Sequence, residues 1–281
     1  MQLVRFSNIN EFLKITQSIY EAQESANNLI LGISLRLRDE PQRFSTLPFL
    51  AVVTDDGNLL LSSVMTPPFP LILQGDEHAL DAIDLLVTSC LEEGVSVPGV
   101  NGQKTISDAF ARQWSSKTGQ REHLAMALRA YELQQVTWPT IPAGKFREAL
   151  KDDVSIVFEY FRAMQEETEP DLPHGMDLAR ILYLIDRGAV YLWEVDQNPV
   201  SMALSTRPTA QAITVSGVYT PPQERRKGYA SACVAHLSQL LLDKGYRFVN
   251  LFTDLANPTS NAIYQEIGYK PVCDYHRHIF E

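Results

Sequence analysis

The sequence has 281 residues, of which 45% are hydrophobic and 21% are charged, and its formal net charge is −10 at pH 7. This length suits two domains of about 140 residues each, and the composition is that of a globular protein rather than a disordered one. The negative charge argues against nucleic acid or an anionic membrane as the main partner. No run approaches the roughly eighteen consecutive apolar residues of a membrane span, and residues 1–5 lack the features of a signal peptide. We therefore expect a cytoplasmic protein.

The cysteines and histidines do not form a metal-binding pattern in the sequence. Cys90, Cys233 and Cys273 lie far apart and lack metal-ligand spacing, which favours isolated thiols over a disulfide framework. His276 and His278 would share one face of a strand, but the sequence shows no carboxylate or cysteine partner for them. The sequence therefore predicts that no metal is bound.

Hydrophobic periodicity predicts a regular order of elements in the first half of the chain: a strand, two helices, three strands, a helix, a strand, a helix and a strand. The step Asp56-Gly57 is a hairpin signal between the second and third strands. The predicted ranges are 3–6, 8–23, 25–37, 47–54, 59–65, 71–74, 76–93, 95–100, 103–117 and 122–136.

The second half of the chain repeats this order after a proline-rich connector at residues 137–144. Because a repeated order of elements is typical of a duplicated domain, we predict domains at residues 1–136 and 145–281, joined by the linker 137–144. The predicted ranges are 146–149, 152–165, 176–186, 189–195, 200–206, 212–219, 229–244, 247–253, 259–266 and 269–280.

A basic loop joins the strand that ends at Tyr219 to the following helix. Two prolines end the strand, and Gly228 keeps the start of the helix free of side chains, so that a phosphate can reach the backbone N–H groups. These groups lack partners in the first helical turn and lie at the positive end of the helix dipole, which favours a bound pyrophosphate. The candidate residues for this anion site are Arg225, Arg226, Lys227, Gly228, Tyr229 and Ala230.

The spacing Arg225-x-x-Gly228-x-Ala230 is similar to the acetyl-CoA loop of the GCN5-related N-acetyltransferase (GNAT) family, (Gln/Arg)-x-x-Gly-x-(Gly/Ala). Residues 257–269 resemble the second signature of that family, an Asn-initiated helix that carries a tyrosine and ends in Gly-Tyr. The two signatures occur in the order of the family. The chain therefore resembles two tandem GNAT-like folds of mixed α/β type, with the motifs in residues 145–281 and only the order of elements in residues 1–136.

This resemblance implies that acetyl-CoA is the cosubstrate. It implies that the strand segment Gly217-Val218-Tyr219 pairs through its backbone with the pantetheine arm, and that one of its amides polarises the thioester. Gly217 also indicates a β-bulge that would open the sheet beside it. By the same resemblance Asn257 contacts the cofactor, although its role as a helix cap alone would explain it.

Tyr264 is the candidate general acid. A phenol with a pKa near 10 stays protonated at neutral pH and can donate to a thiolate whose conjugate acid has a pKa near 8.5. The alternative is that Tyr264 is only a core aromatic. The general base is not identified, because residues 213–220 contain no carboxylate, and Glu194 and Ser216 are the candidates.

The first half of the chain resembles a degenerate copy. Its counterpart of the basic loop, residues 69–76, contains no cation, and Asp76 would repel a phosphate. Counting from Asn101 as from Asn257 places Asp108 at the position of Tyr264. We therefore expect this half to bind no CoA.

The sequence as a whole predicts an N-acetyltransferase that moves an acetyl group from acetyl-CoA to a primary amine of a small molecule or peptide. The alternative is a non-catalytic acyl-CoA-binding sensor or assembly module. A nucleotide-phosphate enzyme is disfavoured, since the loop lacks the pattern G-x-x-x-x-G-K-[ST]. The identity of the amine is not encoded in any motif.

Overall fold

The computed structural model describes residues 1–75, 77–168 and 177–281. Asp76 and the predicted helix start at Met176 lie outside these residues. Among them, no helix is long and apolar enough to cross a membrane.

Contacts between Cα atoms divide the chain into two compact units. Unit 1 contains Met1–Ala130, Asp254–Ala256 and Val272–Glu281, and unit 2 contains Tyr131–Thr253 and Asn257–Pro271. The segment 137–144 falls within unit 2, and the end of the chain falls within unit 1. The domain limits at residues 136 and 145 stay a prediction.

The order of elements repeats along the chain as predicted. The first half contains β1 (Gln2–Arg5), α1 (Ile9–Ala22), α2 (Glu24–Asp39), β2 (Phe49–Asp55), β3 (Asn58–Met65), β4 (Leu71–Gly75), α3 (Leu80–Glu92), β5 (Gly99–Gln103), α4 (Lys104–Thr118) and β6 (Glu122–Leu133). The second half contains β7 (Lys145–Glu148), α5 (Val154–Thr168), α6 (Leu178–Asp186), β8 (Val190–Val195), β9 (Asn198–Thr206), β10 (Ala212–Tyr219), α7 (Tyr229–Asp243), β11 (Phe248–Asp254), α8 (Pro258–Ile267) and β12 (Lys270–Phe280).

The sheet of unit 1 is mixed. Strands β1 to β4 pair antiparallel in sequence order, β4 pairs parallel with β5, and β5 pairs antiparallel with β12. Successive side chains of β4 point to opposite faces of the sheet. Leu71 and Leu73 pack in a core with α3 and α4, whereas Ile72 packs in a core with α1 and α2. Helices therefore cover both faces of this sheet.

Unit 2 has the same arrangement. Strands β7 to β10 pair antiparallel in sequence order, and β10 pairs parallel with β11. Tyr191 and Trp193 of β8 pack in a core with α7 and α8, and Leu192 between them packs in a core with α5 and α6. Successive side chains of a strand point to opposite faces of the sheet, and helices cover both faces. The central residues of each strand are therefore almost all apolar.

Two predictions in the first half are wrong. The strand predicted at residues 95–100 lies at Gly99–Gln103, because Pro98 has no N–H to donate to a ladder. Asn101 consequently lies inside β5, paired with Arg277, and does not cap a helix as Asn257 does. The correspondence between Asp108 and Tyr264 therefore fails.

Residues 137–144, predicted as a linker, fall within unit 2 and contact its other elements, although most of them are exposed. The indole of Trp138 lies 5.0 Å from the ring of His236 on α7, measured between centroids. Trp193 donates a hydrogen bond from Nε1 to the carbonyl of Ala143 at 3.2 Å. These contacts fix the segment beside the first turns of α7, where Pro142 approaches Gly228.

Candidate active site

Strands β10 and β11 separate partway along their length. Their parallel pairing covers three residue pairs and ends at Thr214 and Asn250, although β10 continues to Tyr219 and β11 to Asp254. Among the described residues, residues 215–219 of β10 therefore have no ladder partner on the β11 side. Backbone groups at such an opening can pair with an extended ligand that carries its own amides.

A β-bulge at Gly217 lies where the strands separate. The pairing of β10 with β9 shifts between Ser216, which opposes Leu204, and Tyr219, which opposes Met202. Gly217 has a φ of +58°, a conformation that costs a residue with a side chain about 1–2 kcal/mol. The predicted bulge is confirmed, and the extra twist that a bulge adds turns the end of β10 away from its neighbour.

The N-terminus of α7 offers free backbone donors. Gly228 precedes the helix with a φ of +82°, and no side chain of the described residues caps it. The first helical hydrogen bond runs from the N–H of Ala232 to the carbonyl of Gly228, at 3.0 Å. The N–H groups of residues 229–231 consequently have no acceptor within the described part of the chain. Three such groups at the positive end of a helix bind an anion well.

Arg225, predicted to surround the pyrophosphate with charge, is held by the protein itself. Its Nε donates to the carbonyl of Thr220 at 2.8 Å, and its Nη2 donates to Glu167 Oε2 at 2.7 Å. The hydroxyl of Tyr219 donates to the other oxygen of Glu167 at 3.2 Å. Arg225 therefore fastens the loop to the end of α5. Glu167 has no distinguishing signal in the sequence, because it is one of several acidic residues there.

The other two cations differ in their partners. Lys227 forms an ion pair with Glu224 at 2.9 Å, and this carboxylate raises the pKa of the lysine. Arg226 is exposed, and among the described residues it has no charged partner. Two of the three positive charges are thus offset by carboxylates, so the backbone N–H groups and Arg226 are the main attractions for an anion.

Tyr264 is buried, at 7% exposure, and burial raises its pKa to about 12. Its hydroxyl makes no hydrogen bond to any described residue, whereas the hydroxyl of nearby Tyr269 lies 2.8 Å from Ser238 Oγ. Tyr264 belongs to the same packed cluster as Val218 and Tyr229. The phenol is thus protonated at neutral pH and available as a donor, in a cluster that includes Val218 of β10 and Tyr229 at the start of α7.

Asn257 caps α8, since its Oδ1 accepts a hydrogen bond from the N–H of Ser260 at 3.0 Å. The predicted cap is confirmed, and this bond occupies the side-chain oxygen. The predicted contact of Asn257 with a cofactor stays a prediction.

The candidate general bases are both engaged with other side chains. Glu194 is buried and lies 2.9 Å from Lys145 and 2.5 Å from Arg147, and these cations lower its pKa. A carboxylate held in this way is a poor proton acceptor. The hydroxyl of Ser216 lies 2.9 Å from that of Thr206. We therefore assign the base role to neither residue.

The model of the acetyltransferase (GNAT) family matches residues 155–269. No curated protein matches the chain.

Solved structures match the chain over nearly its full length. A Drosophila protein has a TM-score of 0.66 at 12% identity, with 99% of this chain and 98% of that protein covered. A GNAT-family acetyltransferase from Colwellia psychrerythraea has a TM-score of 0.60 at 11% identity, with 100% and 99% covered. A tandem GNAT protein from the clavulanic acid biosynthesis pathway has a TM-score of 0.59 at 14% identity, with 99% and 98% covered. At these identities the likeness concerns the fold, and it confirms the predicted fold class.

Arg147→Met should destabilise the protein in a pH-dependent way. Hydrogen bonds from Arg147 lower the pKa of Asp153, and Lys145 followed by Arg147 lower that of Glu194. Carboxyl groups with lowered pKa values stabilise the fold above their unfolded pKa, and this stabilisation is lost as the pH falls. The loss of unfolding free energy in the variant should therefore be largest near pH 7 and shrink towards about pH 3.

Urea denaturation over a pH series measures this effect. Arg162→Met is the control, because its ion pair with Glu166 is long, at 3.9 Å, and exposed. A loss in Arg147→Met that is equal at all pH values would contradict the assignment of Glu194 and Asp153 to this structural ion-pair network.

Proposed function

We propose that this chain, whose residues 155–269 match the model of the acetyltransferase (GNAT) family, transfers an acetyl group from acetyl-CoA to a primary amine of a small molecule or peptide. The observation that carries the proposal is the combination of two features in unit 2. Strand β10 leaves β11 after Thr214, and α7 begins with unpaired N–H groups at residues 229–231. Together they suit a ligand that has an amide-containing arm and a pyrophosphate.

The cosubstrate would bind mainly through the backbone. The pantetheine arm would pair with residues 217–219 of β10, and the pyrophosphate would accept hydrogen bonds from the first turn of α7. Gly228 and Ala230 leave room for the phosphates, and Arg226 adds a positive charge beside them. Arg225 and Lys227 would hold the loop in shape through Glu167 and Glu224.

In the reaction, the nitrogen of a neutral amine attacks the thioester carbon. The C–N bond forms as the C–S bond breaks, the amine loses one proton to solvent, and the departing sulfur receives one from Tyr264, whose phenolate then regains a proton from solvent. Burial raises the pKa of the Tyr264 phenol to about 12. Because the same desolvation would raise the pKa of the departing thiol, the phenol can still serve as its donor.

Gly228→Val should strongly weaken CoA binding. A β-branched residue does not tolerate the φ of +82°, and its side chain would cover the N–H groups of the first turn. Calorimetry should show at least about a 100-fold weaker affinity, equivalent to about 2.7 kcal/mol.

Gly245→Val is the matched control, since Gly245 lies at the other end of α7 with a φ of +99° and open space around it. This variant carries a similar backbone strain but should bind CoA as the wild type does. If Gly228→Val also binds CoA normally, the anion site is misplaced.

Tyr264→Phe should lower kcat by about 10²- to 10⁴-fold while CoA affinity stays nearly unchanged, because the ring is kept and only the proton donor is removed. The assay is release of free thiol from acetyl-CoA, using the best substrate from a panel of primary amines. Tyr269→Phe is the control, as its hydroxyl already contacts Ser238.

A Tyr264→Phe variant that keeps half of the wild-type turnover would assign Tyr264 to packing. Tight CoA binding without amine-dependent thiol release across the whole panel would instead favour a non-catalytic acyl-CoA sensor or assembly module.

A further inference from the structure

A carboxylate and two imidazoles meet in unit 1. The Nδ1 of His276 lies 2.6 Å from Asp108 Oδ1, and the Nε2 of His278 lies 2.8 Å from the same oxygen. The two histidines belong to β12, and Asp108 belongs to α4. All three side chains are largely buried, with exposures of 12%, 10% and 18% for His276, His278 and Asp108.

The topology of unit 1 brings these residues together. β12 pairs with β5, with His276 opposite Gly102 and His278 opposite Val100, and the chain passes from β5 directly into α4. Asp108 of α4 is thus placed next to the histidines of β12, the strand that pairs with β5. The sequence alone does not indicate an acidic partner for the histidines, because Asp108 is separated from them by 168 and 170 residues along the chain.

The ring nitrogens converge on one point. Side chains two residues apart on a strand leave the same face in parallel, and the two rings here are 5.9 Å apart between centroids. His276 presents Nδ1 and His278 presents Nε2, so that both nitrogens reach the same carboxylate oxygen. One ligand atom from each of the three residues lies within 4.8 Å of the others.

We propose that Asp108, His276 and His278 bind a divalent transition-metal ion of the Zn²⁺ class. Imidazole nitrogen and carboxylate oxygen at bond lengths of about 2.0–2.2 Å are the usual ligands of such an ion, and they lie about 3.3 Å apart around it. Binding therefore requires the carboxylate to move away from the imidazoles by about half an ångström. Three protein ligands leave a position open for water or for a donor atom of another molecule. This proposal does not depend on the proposed acetyl transfer.

Two neighbouring charges define the site further. Lys104 Nζ lies 2.9 Å from Asp108 Oδ2, which leaves Oδ1 for the metal but places a positive charge beside it. Asp274 precedes the histidines on β12, but both of its oxygens bind Arg129, so we do not count it as a ligand. Removal of the Lys104 charge should therefore strengthen metal binding.

Titration of the intact, chelator-treated chain with Co²⁺ and Zn²⁺ tests this site. Visible d–d absorption of Co²⁺ and calorimetry with Zn²⁺ should each give one ion per chain at this site, with no comparable binding of Mg²⁺. Asp108→Asn, His276→Gln and His278→Gln should each weaken Zn²⁺ binding by at least about 10-fold.

Three further variants keep the test decisive. His123→Gln, at a half-buried histidine outside the cluster, should bind Zn²⁺ as the wild type does, and Cys273→Ser should show that no thiolate contributes. Lys104→Met keeps all three ligands and should bind Zn²⁺ more tightly. Absence of saturable binding in the wild type, or equal affinity in the wild type and the three ligand variants, would overturn the proposal and leave a hydrogen-bond network only.

Discussion

The early end of the pairing between β10 and β11 is the constraint on which the candidate site depends. A parallel pair that continued to Tyr219 would use the backbone groups of both strands within the sheet, and none would remain for a ligand. The pairing instead ends at Thr214 and Asn250. Gly217, with its positive φ, provides the local cause, because the bulge bends β10 just beyond this point.

The start of α7 completes the site in the same manner, through backbone groups. Its unpaired N–H groups follow Gly228, while the nearby cations Arg225 and Lys227 are neutralised by Glu167 and Glu224. A site built in this way holds its geometry through the sheet and the helix rather than through long, mobile side chains. Backbone donors of this kind offer an anion a local attraction that does not depend on the net charge of the chain, which is −10.

The structural features that depend on local sequence could be predicted. Prolines, glycines and hydrophobic periodicity act over a few residues, and they indicate where elements begin and end. They account for the limits of β10 at Ala212 and Tyr219, the start of α7 at Tyr229 and the cap by Asn257. The position of β5 does not follow from composition, because the apolar residues before Pro98 have the composition of a strand but cannot complete a ladder there.

Partners that are distant in sequence could not be predicted. Glu167 and Arg225 are separated by 58 residues, and nothing in either segment indicates the other. The same holds for Asp108 and the histidines of β12, which meet because the last strand of the chain pairs with β5. Such pairings are decided by the topology of the sheet, which a single sequence does not specify.

Hydrogen–deuterium exchange of the intact chain with and without CoA tests the central claim most directly, because the claim concerns backbone N–H groups. CoA should slow exchange in peptides that cover residues 215–219 and 228–232, and it should leave β4 and β5 of unit 1 unchanged. Unchanged exchange in both unit 2 segments at saturating CoA, or protection in unit 1 instead, would contradict the account.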